Sequence, residues 1–277
     1  MIAVVCRMRI EKILAVAAFF TSICSPLGAQ IYVEDGLTYE HELQLSGAVN
    51  GTLAIGNAGA EPQEVKIYQN DYFFNAEGEK SYLEIGSLER SNARWITFFP
   101  SRFTVPANDK TVVTYEIQVP DVESLVGTYW SMLMVEPIPE SSPEASGDRN
   151  EDEVVAVRQV LRYALQIVTH IGGTGTRLLK VVHASLYKED DAVELHLDVQ
   201  NAGERWLRPQ LTADVFASDG SKLPGIVGRR RRLYPGTSVR YRVDLSSLGT
   251  GTFKVLVILD AGGEDVFGAS YSIQLGP

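Results

Sequence analysis

The chain carries one set of landmarks twice in the same order, and this duplication restricts its fold more than any other feature. Asn57-Ala58-Gly59 returns as Asn201-Ala202-Gly203, Phe74 with Gly78 and Lys80 returns as Phe216 with Gly220 and Lys222, and Gly127-Thr128-Tyr129 returns as Gly251-Thr252-Phe253. Ahead of the last landmark each copy has a proline followed by alternating residues, Pro106 to Ile117 and Pro235 to Val243. The first pair is offset by 144 residues. Solenoid repeats have periods of roughly 20 to 50, so the offset marks two domains of one kind.

Almost every patterned segment alternates with period two between Gly, Asn, Asp or Pro. In the first half, Leu43 to Leu45, Thr52 to Ile55, Val65 to Tyr68, Trp95 to Phe99, Val112 to Val119 and Tyr129 to Val135 read as short strands. The second half repeats the pattern over Leu178 to Tyr187, Val193 to Val199, Leu211 to Phe216, Val239 to Leu245, Phe253 to Leu259 and Ala269 to Leu275. No segment after Gln30 shows a 3.6-residue apolar stripe of helix length. The expected fold is all-β: two tandem immunoglobulin-like β-sandwiches, each of about seven strands. The repeated Asn-Ala-Gly is expected to close a strand with residues that tolerate positive φ.

Residues 1–29 read as a secretory signal peptide. Arg7, Arg9 and Lys12 precede an apolar run from Ile13 to Cys24, and Leu27-Gly28-Ala29 offers a small-residue cleavage site before Gln30. That run is too short to span a hydrocarbon core of about 30 Å. Both cysteines, Cys6 and Cys24, fall inside the signal, so the exported chain is expected to fold without disulfides or thiolate metal sites. Loss of three basic residues and Glu11 leaves 22 basic and 34 acidic residues, a net charge of −12. Such a charge disfavours broad attraction to nucleic acid or anionic membranes and suits a protein exported to the periplasm or cell envelope.

The halves differ after the Gly-Thr-aromatic strand. The second returns through Ala261-Gly262-Gly263, a tight connection, whereas the first passes Glu136-Pro137-Ile138-Pro139 into a Ser-, Pro- and acid-rich run from Glu140 to Glu153. A run of that composition buries too little apolar area to order itself and is expected to be mobile. Alternation then resumes from Val154 to Ile171. Val155, Val157, Leu161, Tyr163, Leu165 and Ile167 share one face, and Arg158, Arg162 and Gln166 the other. Gly172-Gly173-Thr174-Gly175 is the expected hinge, dividing a first domain at 30–172 from a second at 173–277.

These residues resemble a known family. Pro120-Asp121, Glu123-Ser124, Trp130 to Val135 and Ile138-Pro139 are similar to the strand and loop entry of periplasmic pilus (fimbrial) chaperones of the PapD-like immunoglobulin superfamily. The long loop and alternating strand that follow look like that family's donor strand. The resemblance implies a chaperone whose first-domain strand lends alternating apolar residues to an incomplete protein subunit, with basic cleft residues holding the subunit's terminal carboxylate. This sequence departs from that pattern in the cleft. No arginine occurs between Gln30 and Ser81, and His170 stands where the family has a lysine.

No catalytic motif accompanies these features. Gly-x-Ser-x-Gly, His-Glu-x-x-His, phosphate-binding glycine loops and calcium loops are all missing, and His41, His170, His183 and His196 have no metal-ligand spacing. The sequence calls for neither a cofactor nor a metal. Arg229-Arg230-Arg231-Arg232 is the densest run of charge. As a strand its side chains alternate faces and cannot form one patch of four, so it reads either as a charged edge strand protected from aggregation or as a contact for an anion, an acidic partner or the first domain.

Two functions follow. The first is a non-enzymatic chaperone-like protein binding a protein subunit by β-strand addition, through Val155, Val157, Leu161, Tyr163, Arg158, Arg162 and His170. The second is a surface or envelope module that binds protein or glycan through the acidic loop and Arg229 to Arg232.

Overall fold

The computed structural model describes residues 31–139, 160–190 and 192–276. The expected signal peptide, the acidic run from Glu140 to Glu153, and Val155, Val157 and Arg158 lie outside the described residues. Ten strands make the first sandwich: β1 (Ile31–Val33), β2 (Thr38–Leu43), β3 (Ala48–Asn57), β4 (Gln63–Phe74), β5 (Lys80–Leu83), β6 (Ile96–Phe99), β7 (Arg102–Val105), β8 (Lys110–Gln118), β9 (Gly127–Pro137) and β10 (Tyr163–Ile171). One sheet runs β1-β3-β8-β6 and the other β2-β10-β9-β4-β5, with β7 also pairing β4. Seven strands make the second sandwich: β11 (Leu179–Glu189), β12 (Ala192–Asn201), β13 (Gln210–Ala217), β14 (Ile226–Val227), β15 (Ser238–Asp244), β16 (Gly251–Asp260) and β17 (Val266–Leu275). Its sheets run β11-β12-β15 and β14-β13-β16-β17. The chain is therefore all-β, two immunoglobulin-like sandwiches in tandem.

Alternation explains each core. On β8, Val113, Tyr115 and Ile117 are buried while Val112, Thr114 and Glu116 face outward. They meet Leu133 and Val135 of β9 and Leu165 and Ile167 of β10 across the sandwich. Burial of each such side chain contributes about 1.5–3 kcal/mol. The second core is assembled in the same way from Leu197, Val199, Leu211, Val215, Val243, Val255 and Val257. β9 breaks the pattern, because every residue from Gly127 to Val135 is buried. A strand covered on both faces loses the need for alternation, and the second cover of β9 includes the other domain.

The duplicated landmarks occupy matching places. Asn57 Nδ2 donates to the carbonyls of Glu61 (2.8 Å) and Val105 (3.2 Å), and its Oδ1 accepts the Gly59 N–H (2.8 Å). Asn201 repeats all three bonds, to Arg205 (2.8 Å), Leu233 (3.0 Å) and Gly203 (3.0 Å). Both side chains are buried. None of the six residues of the two Asn-Ala-Gly motifs has positive φ. The expectation of a positive-φ turn is thus corrected: the asparagine is kept for a buried carboxamide that ties its own strand end to β7 ahead of β8, or to the bridge segment at Leu233 ahead of β15. The same bonds align Val105 with Leu233 and Asn108 (φ 53°) with Gly236 (φ 78°), so Pro106 corresponds to Tyr234 and not to Pro235. At the hairpin landmark, Phe74 pairs with Lys80 across Gly78 (φ 95°), and Phe216 with Lys222 across Gly220 (φ 83°).

Two expected elements move. The first long strand is Thr38–Leu43 in place of Leu43 to Leu45, because Gln44 to Gly47 turns, with the Gly47 N–H bonded to the Gln44 carbonyl at 3.0 Å. Among the described residues the alternating strand begins at Tyr163, with Val160, Leu161 and Arg162 outside it.

Candidate protein-binding edge and interdomain cleft

β10 has two faces with different duties. Its odd residues Leu165 and Ile167 fill the first core, while its even residues Gln166, Val168 and His170 look toward the second domain. The second domain answers with the segments around Leu207 and Leu233, which form an antiparallel bridge. Residues opposite one another in such a bridge share a face. Trp206 therefore lies beside Tyr234, and Arg208 beside Arg232.

These side chains close the β10 side of the cleft between the domains, while a cavity of about 310 Å³ remains between Leu88, Arg90 and Trp130 of the first domain and Asn201 and Pro235 of the second. The Tyr234 ring stacks on Trp130 (centroids 4.6 Å apart, planes at 10°), and its hydroxyl donates to Gln166 Oε1 at 2.5 Å. Arg232 lies over the Trp206 ring at 4.7 Å, bonds Gln166 Oε1 (2.9 Å) and Thr38 Oγ1 (3.0 Å), and pairs with Glu40 (3.0 Å). Arg205 donates to the carbonyls of Gly172 (2.6 Å) and Thr174 (3.1 Å) and reaches Glu42 at 3.4 Å. Backbone joins backbone as well, with the Thr128 N–H on the Glu204 carbonyl at 2.8 Å. The Gly172–Thr176 connection is consequently pinned. Thr176 O accepts the N–H groups of Glu204 and Arg205, and the Gly172 N–H is bonded to Leu43 O. Its glycines mark a fixed elbow where composition alone suggested a hinge.

Among the described residues, the outer edge of β10 is open in one stretch. β2 runs parallel to β10 and covers it from Gln166 to Ile171. The Gln166 N–H bonds Leu37 O at 2.9 Å, so the outward backbone groups of β10 belong to its even residues. Asp35 and Gly36 (φ 87°) bend the chain away just before this point. Ala164 accordingly turns its N–H and C=O to an edge that no strand occupies among the described residues.

No family model matches the chain. No curated protein matches it either. Many solved structures similar to this chain are fimbrial chaperones. A chain of a chaperone–tip adhesin complex of CFA/I fimbriae aligns with a TM-score of 0.47 at 11% identity, covering 88% of this chain and 98% of that one. The class 5 fimbriae chaperone CfaA gives 0.45 at 11%, over 89% and 99%. A chain of the CsuC–CsuE chaperone–tip adhesion subunit complex of Acinetobacter baumannii gives 0.46 at 13%, over 87% and 98%.

The residues singled out from sequence disperse. Leu161 is exposed, Arg162 pairs with Glu136 at 3.0 Å, and Tyr163 is half-buried with its hydroxyl on Ile31 O at 2.8 Å. His170 sits in the cleft. Of the arginine run, Arg232 is consumed by the interface while Arg229, Arg230 and Arg231 are exposed. Residues 228–232 are not a strand. β14 ends at Val227, and the alignment of the loop with 207–211 slips by one residue from that of β13 with β14. His183 and His196 do not face each other, since His183 lies opposite Asp198 and His196 opposite Ser185. Among the described residues, no group of three or more His, Cys, Asp or Glu is placed to hold a metal, and no helix is long and apolar enough to cross a membrane. Sequence reading missed Trp206, Tyr234 and Arg205. The alternation of Arg230, Arg232 and Tyr234 puts Tyr234 on one face with Arg232, but no local signal marks Trp206 or Arg205.

His170 is held neutral. Burial, followed by the guanidiniums of Arg205 and Arg232, pushes its imidazole down to about 4. Its Nδ1 faces the Thr128 hydroxyl at 2.9 Å, and that hydroxyl also receives the Trp206 N–H at 3.0 Å. The opposite ring nitrogen, Nε2, faces Glu40 at 4.0 Å, and this carboxylate favours the tautomer with its proton on Nε2 and Nδ1 accepting from the hydroxyl. Because the folded pKa lies below the ordinary 6.5, the unfolded chain takes up the proton first as pH falls. Stability from this group is complete above about 6.5 and is lost progressively down to about pH 4, a total of about 3 kcal/mol. Melting temperatures measured across that window should fall, and His170→Gln should flatten the slope. His41, also depressed by burial, leaves a residual slope in the variant. An unchanged slope would exclude His170 as the titrating group.

Proposed function

We propose that the chain is an exported, non-enzymatic chaperone-like protein of the periplasm or cell envelope that holds a protein subunit by pairing a strand with the N-terminal part of β10. The observation that carries this reading is the division of one strand edge: β2 covers β10 from Gln166 onward, and the edge at Ala164 stays open. The proposed contact runs back from Ala164 through Arg162 and Leu161 toward Arg158, Val157 and Val155. A subunit of a surface fibre, as the resemblance at Glu123-Ser124 and Ile138-Pro139 implies, is the proposed partner. The cleft supports a binding role and not a catalytic one, since His170, Arg205, Arg232 and Gln166 are engaged with groups inside the protein.

Backbone pairing alone is a weak grip. Each new hydrogen bond contributes about 1 kcal/mol net, which the ordering of a residue at about 1–2 kcal/mol offsets. Apolar side chains such as Leu161 must therefore supply the selectivity. The position of Tyr163 sets a limit on them. From Leu165 onward the odd face is the domain's own core, so only residues before Tyr163 are free to be lent.

Ala164→Pro tests the edge. Proline removes the outward N–H but none of the bonds to β9, and an edge strand with its N–H facing solvent tolerates it. Capture of the subunit in co-purification should be lost while the melting temperature shifts by only about 2–4 °C. Undiminished capture by the folded variant would sink the proposal.

A further inference from the structure

Four arginines of the second domain, Arg208, Arg229, Arg230 and Arg231, are exposed and have no carboxylate partner among the described residues. In a chain of net charge −10 with 35 acidic residues, such a cluster stands out. The Leu207–Leu233 bridge sorts them by face. Trp206, Arg208 and Gln210 line up opposite Tyr234, Arg232 and Arg230, and the bond from Arg230 Nε to Gln210 Oε1 at 3.3 Å shows the alignment continuing outward. Arg229 and Arg231 alternate to the other side.

This ladder crosses the first domain's sheet step by step. Tyr234 touches Trp130 of β9 and Gln166 of β10, and Arg232, two residues earlier, touches Gln166 of β10 and Thr38 and Glu40 of β2. A two-residue step of extended chain covers about 6.6 Å, and neighbouring strands lie about 4.8 Å apart. Arg208 stands level with Arg232 at β2, and the next step, to Arg230 and Gln210, leads past β2, which is the last strand of its sheet. β2 itself shows what such arginines accept. It is an extended segment with carboxylates at alternate positions, Glu40 on Arg232 and Glu42 on Arg205. The backbone groups of Thr38, Glu40 and Glu42 turn away from β10 to an edge no described strand occupies.

We propose that Arg208 and Arg230 form a receptor for an acidic extended segment of a protein partner lying alongside β2, with its carboxylates continuing the row begun by Glu40 and Glu42. The site is separate from the open end of β10 and does not depend on it. An isolated polyanion such as a glycan sulfate or lipid phosphate lacks the backbone that the edge of β2 would pair.

The test uses the full exported chain and a labelled peptide of about twelve alternating Glu and Thr residues, long enough to run the length of an edge strand, read by fluorescence anisotropy. Binding should weaken steeply with salt, and Arg208→Glu with Arg230→Glu should weaken it by roughly tenfold or more. Arg229→Glu with Arg231→Glu should change it no more than about twofold. Unchanged melting shows that both double variants are folded, and Arg208→Gln with Arg230→Gln replaces the first pair if it is not. The proposal is overturned by equal loss in the two pairs, by no binding of the acidic peptide, or by tighter binding of heparin or anionic vesicles than of the peptide. Ala164→Pro should leave peptide binding intact, which separates failure here from failure of the β10 edge.

Discussion

Asn201→Ala is expected to destabilise the second domain selectively, and Asn57→Ala the first. Each substitution removes a buried carboxamide and takes a partner from one N–H, of Gly59 or Gly203, and from two carbonyls, of which Leu233 O keeps the Leu207 N–H. An unsatisfied buried group costs about 1–3 kcal/mol, so a loss of about 4 kcal/mol is expected against a domain stability of about 5–15 kcal/mol. Calorimetry should show one transition falling steeply in each variant. Asn201→Asp keeps the acceptor for Gly203 but turns a buried carboxylate oxygen onto the carbonyls of Arg205 and Leu233, and should be no more stable than alanine. Asn201 also fixes the carbonyl of Arg205, so its loss should loosen the elbow, whereas loss of Asn57 should not. If both alanine variants melt within a degree or two of the parent, the carboxamide is not the reason the motif occurs twice.

The second large effect is expected from Gly127→Ala. Gly127 has φ 77°, a region costing other residues about 1–2 kcal/mol, and an added Cβ would overlap the carbonyl of Glu204. That carbonyl receives the Thr128 N–H and lies within reach of Arg90, so relieving the overlap pulls the domains apart at their backbone contact. Gly78→Ala serves as the control, because Gly78 has φ 95° but open space where a Cβ would stand. Gly78→Ala should lose only the backbone term, while Gly127→Ala should lose about 3 kcal/mol or more and increase the radius of gyration in solution scattering. Equal effects of the two would mean that the Glu204 contact does not hold the elbow.

The parts of this molecule legible in sequence are those encoded by local period. Alternation on β8, β12, β13 and β16 placed the strands and both cores, because side chains two residues apart must share a face. The repeated Asn-Ala-Gly was visible, but its cause was not. A turn is inferred from neighbours in sequence, whereas the bond from Asn57 to Val105 spans 48 residues. The interdomain cleft was hidden for the same reason. Gln166 lies 66 residues from Arg232 and 68 from Tyr234, and no periodic signal links them. One clue was present in β9, where Tyr129 to Val135 is buried at every position. A continuous apolar run between alternating strands indicates a second cover, and here that cover includes Tyr234. For the arginine run, contact with the first domain was one reading open from sequence, and Arg232 makes that contact; that the last member packs in the cleft while the three before it are exposed depends on partners distant in sequence.

β2 belongs to three contacts at once: the edge of β10, the guanidiniums of Arg232 and Arg205, and, through Gly172 N–H on Leu43 O, the start of the elbow. A guest strand that advanced along β10 past Gln166 would have to peel β2 away and release both arginines in the same act. Penetration of the guest and angular freedom between the domains are then thermodynamically linked, each favouring the other by the same free energy. On the proposed strand-addition reading this arrangement is a built-in stop: a guest would dock up to Leu165 with the elbow in place, and going further would require the two domains to let go of each other.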